Sequence, residues 1–185
     1  DINGDGKIND DDQVPIGYSN FPEIMYGISL GGSYKNLDIS LLFQGATHVS
    51  NMPSRRIMRG FYEYTGANRD LLKSWSYERF VNNQKIVYPR YGVNGVGHNY
   101  LTSTYWLEDA SYLRLKNVEV GYTFRQESLK KAGIGSIRIY VNGSNLLTWT
   151  DMLPGQDPEV ANAGVTNSEP YPVTRVFNFG LNVNF

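Results

Sequence analysis

The residues best equipped for chemistry stand at the start of the chain. Asp1, Asn3, Asp5, Gly6, Lys7, Ile8, Asn9 and Asp12 fit the Ca²⁺-loop template D-x-[DN]-x-[DN]-G-x-I. A hard cation needs several oxygens on a tightly curled chain, and Gly6 permits the curl. The candidate ligands are the side chains of Asp1, Asn3, Asp5, Asn9 and Asp12, with Lys7 contributing its backbone carbonyl. Asp12 stands where Glu is usual; its shorter arm makes bidentate ligation harder, so modest affinity is expected. A solvated acidic turn rich in Asn and Gly accounts for the same residues without an ion.

Gly27-Ile28-Ser29-Leu30-Gly31 matches the G-x-S-x-G nucleophile pattern. That elbow needs a strand, a sharp turn and then a helix, whereas here the strand pattern continues through Gly32-Ser33-Tyr34. The only bases of the right kind are His48 and His98, neither in a suggestive context. The sequence therefore predicts no catalytic residue and no enzyme. Tyr62, Tyr64, Trp75, Tyr77, Tyr91, Tyr100, Tyr105, Trp106 and Trp149 could stack on sugar rings, or could pack long loops and form interface girdles. The second role is expected for most of them. Trp149, Tyr122 and Phe124 lie near strand ends and read as girdle residues.

Composition narrows the classes. In 185 residues, 17 Lys and Arg face 18 Asp and Glu, a formal charge of -1, so no basic surface for nucleic acid is implied. There are no cysteines, which excludes a disulfide framework, a thiolate zinc site and a Cys nucleophile. No apolar run approaches the length of a membrane helix. Mean hydropathy is -0.40, but a membrane β-barrel averages lipid-facing and lumen-facing residues and escapes such sums. Aromatics make up 14% of the chain. The chain opens at Asp1 with no Met and no signal peptide, inside a motif, and is expected to be a piece of something longer.

The elements that must position these residues are strands. Period-2 alternation appears five times. Ile24, Tyr26, Ile28 and Leu30 share one face of the first strand, opposite Gly27, Ser29 and Gly31, which are expected to face a lumen. Lys35-Asn36 makes a tight turn, with Asn36 expected to supply the positive φ. Leu37, Ile39, Leu41 and Phe43 continue the apolar face. A third strand sets Val118, Val120, Tyr122 and Phe124 against Asn117, Glu119 and Gly121. The fourth sets Ile137, Ile139 and Val141 against Arg138, Tyr140 and Asn142. The last alternates Phe177, Phe179, Leu181, Val183 and Phe185 with Asn178, Gly180, Asn182 and Asn184. A helix is expected over 68–81 after an Asn68 cap, and a shorter one over 126–132, closed by Gly133.

The expected organisation is an acidic, Ca-loop-like extracellular segment (1–23), a hairpin (24–45), a long extracellular loop (46–110), a hairpin (111–147), a second extracellular loop (148–172) and a terminal strand (173–185). Short links fall at one end and long ones at the other, the asymmetry of transmembrane barrels. Arg138 lies on the polar face. Arg114, Lys116 and Arg175 share parity with apolar residues but sit at the long-loop ends, above any lipid band. Five strands cannot close, and an open edge is not tolerated in lipid, so further strands are expected on residues outside this sequence.

Several strings together resemble the C-terminal part of a SusC/RagA-type TonB-linked outer-membrane transporter. They are Asp1-Ile2-Asn3-Gly4-Asp5-Gly6-Lys7-Ile8 with Val14-Pro15-Ile16-Gly17-Tyr18; Phe43-Gln44-Gly45-Ala46; Tyr88-Pro89-Arg90; and Trp106-Leu107-Glu108-Asp109-Ala110-Ser111-Tyr112-Leu113-Arg114-Leu115-Lys116-Asn117. Later come Gly121-Tyr122, Tyr140-Val141-Asn142-Gly143-Ser144-Asn145-Leu146-Leu147, Asp157-Pro158-Glu159, Tyr171-Pro172 and the strand ending at Phe185. The resemblance implies an all-β fold: about five antiparallel C-terminal strands of a large transmembrane β-barrel of about 22 strands with a plugged lumen. It also implies TonB-dependent import of a nutrient, most readily an oligosaccharide, across the Gram-negative outer membrane, with no cofactor required; the acidic loop on its own offers a structural site for Ca²⁺. The partners it implies are a SusD-like surface lipoprotein, the TonB complex through an N-terminal part lying outside these residues, outer-membrane lipids, and the barrel-assembly machinery at the strand ending in Phe185.

The acidic string also resembles a dockerin repeat. Dockerins carry two such loops, each followed by a helix; here there is one, and Val14-Pro15-Ile16-Gly17 is no helix start. A soluble, secreted, Ca²⁺-dependent binding module, dockerin-like or a carbohydrate-binding sandwich, is accordingly the rival reading.

Overall fold

In the computed structural model, residues 1–62, 66–67, 69–92, 97–153, 155–160 and 171–185 are described. In chain order the elements are β1 (Ile24–Tyr34), β2 (Leu37–Thr47), β3 (Ser50–Asn51), α1 (Arg55–Met58), α2 (Tyr77–Val81), β4 (Glu108–Asp109), β5 (Tyr112–Phe124), α3 (Glu127–Lys131), β6 (Ser136–Thr150) and β7 (Val176–Asn184). Single 3-10 turns occupy Asp10–Asp12, Arg69–Lys73 and Gly97–Tyr100. The chain divides into two units, one of Asp1–Ser19 and Arg55–Leu107, the other of Asn20–Ser54 and Glu108–Phe185.

The second unit is built on an antiparallel sheet in the order β1-β2-β5-β6-β7. Directly opposed residues share a face, so the register can be followed across the sheet. Leu30 pairs with Leu41 and Leu41 with Val118. One row nearer the short turns, Ile39 pairs with Val120, Val120 with Val141, and Val141 with Phe179. Every strand thus contributes its apolar set to one face. That face lies open: Ile28 is 51% exposed, Leu30 53% and Phe179 82%. In water such a surface would drive association; facing hydrocarbon it is the expected exterior of a transmembrane barrel. Strand lengths agree, because nine to fifteen residues per strand reach or exceed the roughly 9–11 needed to cross a bilayer at a tilt.

Aromatic residues border this face. Tyr34 stands at the short-turn end, where Tyr122 and Phe124 meet edge to face at 4.7 Å. Tyr26 and Trp149 stand toward the other end, Tyr26 donating its hydroxyl to the Tyr112 carbonyl at 3.1 Å. From Tyr26 to Tyr34 within β1 is roughly 27 Å of strand at ~3.4 Å per residue. Tilting brings that near the ~25 Å of a lipid band.

The turn between β1 and β2 departs from expectation. Its left-handed residue is Lys35, with φ 55, whereas Asn36 does not carry the positive φ. Asn36 is used across the sheet instead: its carbonyl accepts from the Thr123 N–H at 2.8 Å. Gly133 does close α3 as expected, with φ +76; beyond it the Ile134 N–H returns to the Leu129 carbonyl at 2.9 Å.

A second departure carries more weight. The pairing of β5 with β2 shifts between Leu42 and Phe43, so that Asn117 faces Leu42 and Leu115 faces Phe43. Lys116 is the extra residue. A bulge of this kind inverts parity along its strand, and Arg114 therefore pairs with Gln44 and Thr148 on the polar face. Its expected parity with the apolar residues is corrected: Leu113 and Leu115 hold the apolar face there.

In the first unit, the helix expected over 68–81 is two short pieces, Arg69–Lys73 and α2. The chain is extended at Ser74 and Trp75, where Ser74 bridges Tyr88 and the Trp75 N–H donates to the Tyr88 carbonyl at 2.8 Å. Ser76 then restarts the helix, its Oγ accepting from the Arg79 N–H at 3.2 Å. The expected cap, Asn68, lies outside the described residues. Tyr88 and Trp106 are buried here, with ring centroids 5.8 Å apart.

Candidate functional site

The polar face of the sheet is where this chain can do work. At its short-turn end Arg138, on β6, reaches over β5 to Asp38 on β2. Its Nε donates to Asp38 Oδ1 at 3.1 Å, and its Nη2 donates to Asp38 Oδ2 and, at 2.7 Å, to Glu119 Oε1. The route lies across Gly121, whose missing side chain leaves room for the guanidinium. Arg138 also stacks over the Tyr140 ring at 4.9 Å, and Tyr140 in turn lies over Gly180. A row of small residues therefore lets long side chains lie flat along the wall. Gly27, Ser29 and Gly31 fall on this same face of β1, opposite Gln44, Leu42 and Ser40.

At the other end the long connections are tied to the wall at two nodes. Glu108 accepts from Asn51 Nδ2 at 3.0 Å, from Gln156 Nε2 at 3.0 Å and from the Leu153 N–H at 2.8 Å. One carboxylate thereby joins the start of one connection to its end and to the next connection. Burial pushes its pKa up, opposed by those hydrogen bonds. Val49, Ala110 and Met152 form a small buried cluster in the same unit. The second node is ionic. Arg114, only 2% exposed, donates to Thr148 Oγ1 at 2.9 Å, to Glu159 at 2.6 Å and to Asp157 at 2.6 Å. Lys116 Nζ adds contacts of 2.6 and 2.8 Å to the two Glu159 oxygens. Sequence reasoning picked out Asp157-Pro158-Glu159 only as a resemblance; its partners were hidden by the bulge that turns Arg114 inward.

Asp1, Asn3, Asp5, Asn9 and Asp12 come together as a closed loop whose side-chain oxygens are occupied by its own backbone. Asp1 accepts from Gly4 and Gly6 N–H, each at 2.8 Å. Asn3 accepts from Asp5, Asp5 from Lys7, and Asn9 from Asp11. Asp12 accepts from Ile2 at 2.7 Å and Asn9 at 2.8 Å; these amide donors hold its pKa below the usual carboxylate value. Among the described residues no group of three or more His, Asp or Glu side chains gathers as a metal-holding set.

The remaining candidates separate by burial. Trp106 and Tyr88 are buried, and Trp106 is flanked by Tyr100 and Tyr105 at 6.3 and 5.1 Å, a packing role. Trp75, Tyr77 and Trp149 are exposed; Tyr91 donates its hydroxyl to the Gly60 carbonyl at 3.3 Å. Tyr64 lies outside the described residues. Ser29 sits in the middle of β1, paired with Leu42, with no turn beside it. His48 Nδ1 lies 3.1 Å from Glu23, and His98 sits in the Gly97–Tyr100 turn.

No family model matches the chain. It is similar to the TonB-dependent receptors P3 and P26 of Formosa agariphila, at 33% and 34% identity over the whole chain. To the TonB-dependent receptor SusC of Bacteroides thetaiotaomicron it is 26% identical, again over its whole length. The chain spans under a fifth of P3 and SusC, 18% and 17% of their lengths, and 19% of P26. Among solved structures it superposes on the RagAB peptide transporter with a TM-score of 0.71 at 28% identity, covering 97% of this chain and 19% of that one. The open-open state of the RagAB peptide importer gives 0.68 at 26%, with the same coverage of both chains. With an apolar exterior, a polar ion-paired interior and these likenesses over its full length, the chain matches the C-terminal β-barrel part of the SusC/RagA-type TonB-linked outer-membrane transporters.

Proposed function

We propose that this chain forms one arc of the wall of a TonB-dependent importer in the Gram-negative outer membrane, together with the bases of two extracellular loops. The role is transport without catalysis. The observation that carries it is the two-sided sheet. Five strands keep one face apolar from β1 to β7, while the other carries the Arg138 and Arg114 ion pairs. A soluble sandwich would cover that apolar face with a second sheet; a barrel turns it to lipid.

The cargo proposed is an oligosaccharide, bound through many weak aromatic and polar loop contacts, with a SusD-like surface lipoprotein as the partner over the barrel mouth. Energy would come through TonB by way of another part of the protein, and the strand ending at Phe185 would be read by the barrel-assembly machinery. A peptide cargo is the second reading, because the structural neighbours are described as a peptide transporter and importer. The reading needs no cofactor; a Ca²⁺ on the 1–12 loop would have a structural part only.

The test is made on the full-length parent. Outer membranes are isolated and extracted in detergent, and the species carrying this chain is run with and without boiling. A large heat-modifiable band accompanied by a lipoprotein is the expected result. A species of 20.9 kDa in the soluble fraction would overturn the proposal. Binding of an oligosaccharide mixture against a tryptic peptide mixture then separates the two cargoes.

A further inference from the structure

Asp157 holds both ends of an excursion of the chain. Its Oδ1 accepts from the Glu159 N–H at 3.0 Å, and its Oδ2 accepts from the Val173 N–H at 3.0 Å. One carboxylate therefore ties the chain leaving β6 to the chain returning toward β7. That carboxylate is itself gripped by Arg114 Nη2 at 2.6 Å, with side-chain exposures of 3% and 6% for the pair. Glu159 is held between Arg114 and Lys116, both at 2.6 Å.

Two cations and two carboxylates thus balance, with Arg114 and Asp157 where little water reaches and Lys116 at the more exposed edge. Burying charges is costly, and apolar residues of the same size would often serve stability equally well. What ion pairs with fixed forks add is a single geometry. The Lys116 bulge strengthens the point, because without the extra residue Arg114 would face outward and could not reach Asp157. The register shifts where the grip is made.

We propose that Arg114 is a positioning residue for import. With Lys116 it latches the 157–159 segment, and through Asp157 the return at Val173, onto the inner wall, so that these two segments keep one position as cargo passes. This rests on the import reading above. Loss of the latch frees Glu159 and Val173 from the wall, weakening cargo capture at low concentration more than the maximal rate.

The experiment uses the full-length parent reconstituted in lipid nanodiscs, as wild type, Arg114→Met and the isosteric Asp157→Asn. Hydrogen exchange is read by mass spectrometry on peptides containing Glu159 and Val173. Uptake into cells is measured with two probes, a labelled oligosaccharide mixture and a labelled tryptic peptide mixture. The expected result is exchange faster by about tenfold or more at those two sites, unchanged exchange in mid-β2 and mid-β6, and a several-fold loss of uptake confined to low probe concentration. Wild-type protection in an assembled Arg114→Met barrel would overturn the latch, as would loosened loops with undiminished uptake. Should Arg114→Met fail to assemble, Asp157→Asn decides by the same readings. A wild-type parent that takes up neither probe would overturn the import reading, while the exchange rates still decide the latch.

Discussion

Arg138 and Asp38 are paired across an intervening strand. The guanidinium of β6 passes over β5 to reach a carboxylate of β2, with Nε donating to Oδ1 at 3.1 Å. The contact exists because Gly121 lies between them. A Cβ there would fall on the guanidinium, so Gly121→Val should push Arg138 off Asp38 and Glu119. Overpacking of this kind costs about 1–3 kcal/mol. The expected outcome is a lower unfolding temperature of the intact barrel by heat-modifiability, with Gly121→Ala intermediate. An unchanged transition for Gly121→Val would show that the wall tolerates the side chain and that the close approach is incidental.

Deleting Lys116 should be far worse than truncating it. Removal of the bulge residue restores even pairing, so that Leu113 and Leu115 turn inward and Arg114 turns to the apolar face. A lipid-facing Arg costs roughly 2–4 kcal/mol at mid-membrane and 0–1 near the interface. Stranding the buried Asp157 without its partner adds about 3–5 kcal/mol. Lys116→Ala keeps the register and loses one ion pair. The fraction of parent protein that folds into a heat-modifiable band should be near wild type for Lys116→Ala and strongly reduced for the deletion. Equal yields would contradict the parity argument.

Residues outside the bulge were easier to read. Alternation placed the apolar faces of β1, β2, β7 and the Ser136–Ser144 part of β6 directly, because each follows period 2 there: Phe177, Phe179, Leu181 and Val183 need no tertiary information. Arg114 could not be read this way. Its face depends on one unpaired residue, Lys116, which carries no local signature, so counting from Val118 puts it on the wrong side. The 68–81 helix failed for a related reason: Leu71, Leu72, Trp75 and Phe80 recur at helical spacing, yet Ser74 and Trp75 are taken up by pairing with Tyr88. The grip on Asp157 and Glu159 spans more than 40 residues, a separation no periodicity reaches. Tertiary pairing overrode local pattern in each case.

The two faces of β2 should respond oppositely to the same charge. Leu41 points outward between Leu30 and Val118, whereas its neighbour Ser40 points inward between Gly31 and Glu119. Leu41→Lys should cost roughly 2–4 kcal/mol in the bilayer and cut the folded fraction in outer membranes. Ser40→Lys gains a cross-strand carboxylate in Glu119, an interaction of about 0.2–1 kcal/mol, and should assemble normally. Folded yield by heat-modifiability checks both. A soluble sandwich with this face in its core would also reject Leu41→Lys, so the yield is compared in detergent-free lysate, where a barrel gives no soluble product for either variant.

Asp12 makes the acidic loop sensitive to pH in a defined direction. Its carboxylate accepts from Ile2, Asn3 and Asn9 N–H groups, and these donors lower its pKa from the ordinary value. A carboxyl that is more acidic when folded binds fewer protons folded than unfolded at the pH values between the two constants. Its contribution to loop stability is therefore fully present above the unfolded value of about 3.9 and is lost as pH falls through the lower, folded value. Amide exchange at Ile2 and Asn9, corrected for the intrinsic pH dependence, should be slow at neutral pH and rise only in strong acid. Asp12→Ala should show fast exchange at both sites at every pH, and added Ca²⁺ should not restore it, because among the described residues Asp12 is the side chain that accepts from those two amides. Were Ca²⁺ to slow exchange in that variant, the cation rather than the backbone network would be closing the loop.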